Sequence, residues 1–141
     1  MTNFTFAIGA DPHPRAPDGY RPGVCNIGPA EVARRRMAGH VGLIATLAVL
    51  GVLVMIDAPP LTRLVAILPA ATAASGYLQA WLKFCGGFGS RGIFNFGTVG
   101  ESTAVADDEA RAKDRRKARQ IGLAALAIGV IVGVPAALLP V

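Results

Sequence analysis

The chain has 141 residues, 52% of them hydrophobic but only 6% aromatic, so its apolarity comes from Ala, Leu, Val and Ile, the residues of lipid-facing helices. They lie in long runs between charged blocks, and the mean hydropathy is +0.47, which excludes an ordinary soluble domain with short periodic apolar stripes. The formal net charge of +5 would suit a nucleic-acid binder, yet the charges sit beside the apolar runs with no aromatic platform or recognition motif, so nucleic acid is not an expected partner.

Residues 1–28 hold Pro12, Pro14, Pro17 and Pro22 with several glycines and no sustained periodicity, and they read as an irregular arm. Gly28-Pro29 then marks a helix start, with Pro29 at the first helical position and Glu31 at the positive end of the helix dipole. This helix is predicted over about 29–57, roughly 40 Å long against a hydrocarbon layer of about 30 Å, so its first turns stand in the headgroup zone. The apolar run begins only near Val41, too late for an ordinary signal peptide, and it reads as a retained span.

Asp57-Ala58-Pro59-Pro60 stops the first helix, because two prolines cannot continue its hydrogen bonds. Thr62 is the expected cap of a second helix over about 62–84, which Pro69 should bend. Ala70, Ala74 and Gly76 belong to a run of small residues that lets a neighbouring backbone approach closely. Tyr77, Trp81 and Lys83 mark the far interface.

Residues 85–107 are rich in Gly and Phe, too broken by glycine for a stable helix, and form a predicted loop with apolar teeth, Phe88, Ile93, Phe94 and Phe96. Left exposed, these would dock on a partner or on the headgroup layer. Gly87-Phe88-Gly89-Ser90-Arg91-Gly92 fits the dinucleotide pattern G-x-G-x-x-G, but it follows a membrane helix instead of a strand, so nucleotide binding is set aside. Asp107 or Asp108 caps a third helix over about 108–139, charged at first and apolar from Ile121, and its Gly129 and Gly133 form a G-x-x-x-G pair. Gly39 and Gly42 open a similar smooth patch on the first helix.

Of the fourteen Lys and Arg, a three-span arrangement leaves only Arg63 on one side, the positive-inside pattern that puts the amino terminus and the loop in the cytoplasm and the carboxy terminus outside. The fold class is therefore an all-α integral membrane protein: residues 29–141 form a small three-helix bundle, and the arm and loop 85–107 are cytoplasmic. The basic run Lys113 to Arg119 sets orientation and touches anionic lipid headgroups.

Chemistry is sparsely marked. Cys25 and Cys85 fall near the same surface and make a weak candidate for metal or thiol redox chemistry, since structural centres want four ligands; His13 would add a third. His40, with Gly39 and Gly42 leaving room for a flat macrocycle, is a candidate haem or pigment ligand. No catalytic constellation is recognisable, no cofactor is required, and the spans carry no Asp, Glu, Lys or Arg. The expected function is a noncatalytic accessory or assembly subunit of a larger bacterial inner-membrane complex, with protein subunits as partners. The alternatives are a thiol, metal or haem-handling membrane protein and a homo-oligomeric channel or carrier.

Overall fold

Apolar runs of this length need every backbone polar group satisfied within the segment, and helices do that. The computed structural model describes residues 19–140 and contains three helices long and apolar enough to cross a membrane: α1 (Pro29–Met55), α2 (Pro60–Leu82) and, after a polar connection, the third, Asp108–Ala137. The connection holds a short helix α3 (Gly86–Arg91) and a two-stranded antiparallel ladder of β1 (Ile93–Phe94) and β2 (Thr103–Ala104), so the Asp108–Ala137 helix is α4.

The first two helices end on left-handed residues that are not glycine. Asp57 has φ 50°, and around it the amides of Asp57 and Ala58 return to the carbonyls of Val54 and Leu53, a Schellman closure. Lys83 has φ 52°, and Phe84 donates to Gln79 in the same way. These closures stop α1 two residues short of the expected 57, ahead of the prolines, and α2 two residues short of the expected 84. At the start of α2, Pro60 rather than a residue after Thr62 occupies the first helical position, and Thr62 lies inside the first turn. Pro69 leaves the carbonyl of Val65 without its i+4 donor, and the chain tightens to a 3-10 turn over Leu64–Ala66 around that carbonyl.

Helices that cross a membrane gain little from burying apolar surface and associate by close packing. α2 is the middle of a row, with α1 and α4 each packed along it. A methyl group added at Gly42 would lie 2.6 Å from the backbone nitrogen of Ala73, and one at Gly129 would lie 2.8 Å from the Ala71 methyl. Ala70, Ala73, Ala74 and Gly76 are all buried in these two contacts. Outward faces of the flanking helices stay open, with Ile44 and Ile131 more than 60% exposed.

The buried residues of α4 are Ala110, Asp114, Ala118, Ile121, Ala125, Gly129, Gly133 and Ala137, one stripe at three- and four-residue spacing. At 1.5 Å per residue this helix is roughly 45 Å long. Its apolar half packs in the row, and its charged half stands beyond it as the wall of a polar head. At the opposite end of the row Arg63 is buried. Its Nε donates to the Ala58 carbonyl at 2.8 Å and its Nη1 to the Leu139 carbonyl at 3.1 Å, tying the α1–α2 turn to the end of α4.

The connection departs from the expected unstructured loop in two ways. Glycine is costly in an isolated helix, but α3 is held by its tertiary setting. Gly89 sits against the Phe84 ring and the Asp114 carbonyl, where no side chain fits, and Gly92 closes the helix with φ 68°. The apolar teeth also point inward. Phe94 is buried and stacks on Tyr20 with ring centroids 4.7 Å apart, Phe96 packs against that pair, and Phe88 lies under the Arg35 guanidinium. Tyr20, Phe94, Val105 and Ala110 make the head's own core, with Phe96 packed against it, so Phe94 and Phe96 are used inside the chain.

Candidate functional site

The head is assembled by four buried polar side chains, Asn26, Glu31, Asn95 and Asp114. A polar group left unpaired in such a place costs on the order of 1–3 kcal/mol, so their partners decide whether the head forms.

Asn26 comes from the last turn of the arm and grips Cys85, the residue before α3. Its Oδ1 accepts from the Cys85 amide at 2.6 Å, and its Nδ2 donates to the Cys85 carbonyl at 3.1 Å. Its own backbone is engaged too, donating to Lys83 and accepting from the Asn95 amide at 3.0 Å. Three segments far apart in sequence therefore meet on one residue.

Asn95 ties the connection to α1. Its Nδ2 donates to Glu31 Oε1 at 3.3 Å and to the Thr98 carbonyl at 2.8 Å, while Oδ1 accepts from the Gly97 amide. Glu31 stands in the first turn of α1, at the positive end of the helix dipole as expected, and is fully buried there. Its Oε2 makes no hydrogen bond among the described residues and is balanced by the Arg35 guanidinium at 3.6 Å.

Asp114 holds the arm against α4. Tyr20 donates its hydroxyl to Asp114 Oδ2 at 2.6 Å, and the Gly23 amide donates to Oδ1 at 2.7 Å. Burial, followed by the hydrogen bond to Asp114 and the charges of Asp114 and Asp107, pushes the Tyr20 hydroxyl well above the usual tyrosine range, so it stays a donor.

Two cavities flank these ties. The larger, about 450 Å³, lies between the arm and α1 and is lined by apolar Ile27, Pro29, Val32 and Phe96, with Cys25, Arg36 and Lys83 also on its wall. The smaller, about 270 Å³, lies between the Pro22–Gly23 turn and α4, where Lys113, Arg116, Lys117 and Gln120 line it.

The residues singled out from sequence fall as follows. Cys25 is partly buried and Cys85 buried, both as free thiols, with Asn26 between them in sequence clamping the second. No group of three His, Cys, Asp or Glu able to hold a metal occurs among the described residues, and His13 lies outside them. His40 is exposed, and its Nδ1 meets the Tyr77 hydroxyl at 2.7 Å. The room expected beside it is filled, because the Tyr77 ring packs on Gly39 and Ala73 packs on Gly42. Gly76 meets the backbone of Gly39, and Gly133 meets Ile67, so the small-residue patches face each other within one chain. The G-x-G-x-x-G segment is itself helix α3 and does not precede one.

Sequence reading missed Asn26, Asn95 and the burial of Asp114. One signal was present: Ala110, Ala118, Ile121 and Ala125 place Asp114 alone on an otherwise small and apolar stripe of α4. Searches against family models, curated proteins and solved structures find no match for this chain.

Proposed function

We propose that the chain is a noncatalytic accessory or assembly subunit of a larger bacterial inner-membrane complex, a multi-pass protein with its polar head in the cytoplasm and its carboxy terminus outside. The observation that carries this reading is how the buried polar groups of the head are used. Asn26, Asn95, Glu31 and Asp114 join the arm, α1, the connection and α4 to one another, which supports a shaped, rigid body. A rigid body fixed to a row of helices with open apolar flanks is suited to holding other subunits in place. The amphipathic cleft between the arm and α1 gives such a subunit a recess at the membrane border.

The distribution of the cations supports this orientation. Arg21, Arg34 to Arg36, Lys83, Arg91 and the basic half of α4 all belong to the head end, and Arg63 is spent on carbonyls at the other.

The test is extraction of native membranes in mild detergent followed by native electrophoresis and mass spectrometry. A stoichiometric assembly with larger membrane subunits is expected, weakened by Val32→Glu in the cleft. A stable, clean monomer from the native membrane would contradict the proposal.

A further inference from the structure

The basic half of α4 does more than flank a span, because a second segment is folded against it. Lys113, Arg116, Lys117 and Gln120 recur at spacings of three and four, so they share one face of the helix. That face lies beside the buried stripe, and the Pro22–Gly23 turn closes over it to leave the pocket of about 270 Å³. The turn is pinned there by the Gly23 amide on Asp114 at 2.7 Å. Gly23 has φ 69°, a left-handed backbone that glycine adopts without steric cost, and this shapes the turn over Lys113.

The cations lining the pocket are unequally paired. Lys113 is paired with Glu109 at 3.0 Å, whereas Arg116 and Lys117 make no ion pair among the described residues. Asp114, on the same helix, is buried with both oxygens already accepting hydrogen bonds. Gln120 adds an amide donor and stands immediately before Ile121, where the apolar half of α4 begins. The pocket is therefore at the depth of lipid phosphates, and it is smaller than a typical site for a drug-sized ligand.

We propose that the pocket between the Pro22–Gly23 turn and α4 binds the phosphate headgroup of an anionic phospholipid, with Arg116 and Lys117 carrying the charge recognition. The proposal rests on reading the chain as membrane-spanning. Its acyl chains would run along the exposed apolar side of α4 below Gln120.

The test uses the full chain in neutral detergent, with bound lipid counted by native mass spectrometry. Phosphatidylglycerol, phosphatidylcholine and inorganic phosphate are the probes. Arg116→Gln with Lys117→Gln removes the pocket's charge. Arg115→Gln with Arg119→Gln removes equal charge at equal depth from exposed positions on the same helix. Pro22→Glu places a carboxylate in the pocket without touching α4. The first phosphatidylglycerol should bind more tightly than phosphatidylcholine, weaken about tenfold in the pocket pair and in Pro22→Glu, and weaken less than about threefold in the control pair. Equal losses in both pairs would reduce the pocket to a diffuse basic field and overturn the proposal. Displacement of the lipid by inorganic phosphate at matched concentration would overturn it in favour of a soluble phosphate. Release of the wild-type chain from membranes by alkaline carbonate would end the membrane reading itself, whereas a retained chain with no headgroup preference ends only this one.

Discussion

The head and the helix row are held together by opposite means. In the head, side-chain amides and carboxylates bridge segments 59 to 94 residues apart, around a stack of Tyr20 on Phe94. In the row, contact between helices is made by glycine and alanine, and the hydroxyls of Thr46 and Thr72 turn back to carbonyls of their own helices. On the proposed membrane-spanning reading, water accounts for the difference. A head in water gains from burying aromatics and then must pair whatever polar groups go with them. Helices in lipid gain little from burial and associate where backbones can touch.

The comparison breaks first at the closest approach in the row. Gly76→Leu has no space beside the Gly39 backbone and should abolish folding of the bundle, whereas Gly51→Leu, with nothing within 4 Å, should be silent. Thermal unfolding in detergent separates the two.

In the head, Asp114→Leu leaves the Tyr20 hydroxyl and the Gly23 amide without an acceptor, a loss of roughly 2–4 kcal/mol. Asp114→Asn keeps one acceptor and one donor and should recover most of it. Amide exchange of residues 19–28 is the measurement, and equal protection in wild type and Asp114→Leu would refute the tie.

Asn26→Ala should cost roughly 1–3 kcal/mol and, more tellingly, free the Cys85 segment. Maleimide labelling of Cys85 should accelerate strongly in the variant, with Cys25→Ser as the background.

The smallest effect is on alkaline stability. Because the Tyr20 hydroxyl is raised above its usual value near 10, its contribution is complete below that value and lost as the pH climbs through the raised one. Wild type should therefore lose head stability more steeply above about pH 10 than Tyr20→Phe.

Much of the row was legible in the sequence, since a span demands a long apolar run and a close crossing demands small residues. Helix ends were legible only to two residues, because they depend on Asp57 and Lys83 adopting left-handed backbone, a choice no local preference announces. The head was mostly illegible. Asn26 and Asn95 act on partners remote in sequence, and Asp114 looks like one acid in a basic run until the stripe of α4 shows which way it faces. Glycine in residues 85–92 suggested a loop instead of a helix, while Phe84 and α4 supply the contacts that hold α3.

The central claim, three spans that leave the head and the end of α4 on opposite sides, is tested most directly by accessibility in sealed vesicles. In a chain carrying Cys25→Ser and Cys85→Ala, Ser90→Cys on α3 and Leu139→Cys beyond α4 are each exposed and each reports one end. A membrane-impermeant maleimide should label Leu139→Cys in right-side-out vesicles and Ser90→Cys only after the vesicles are opened. Labelling of both from the same side would contradict the account.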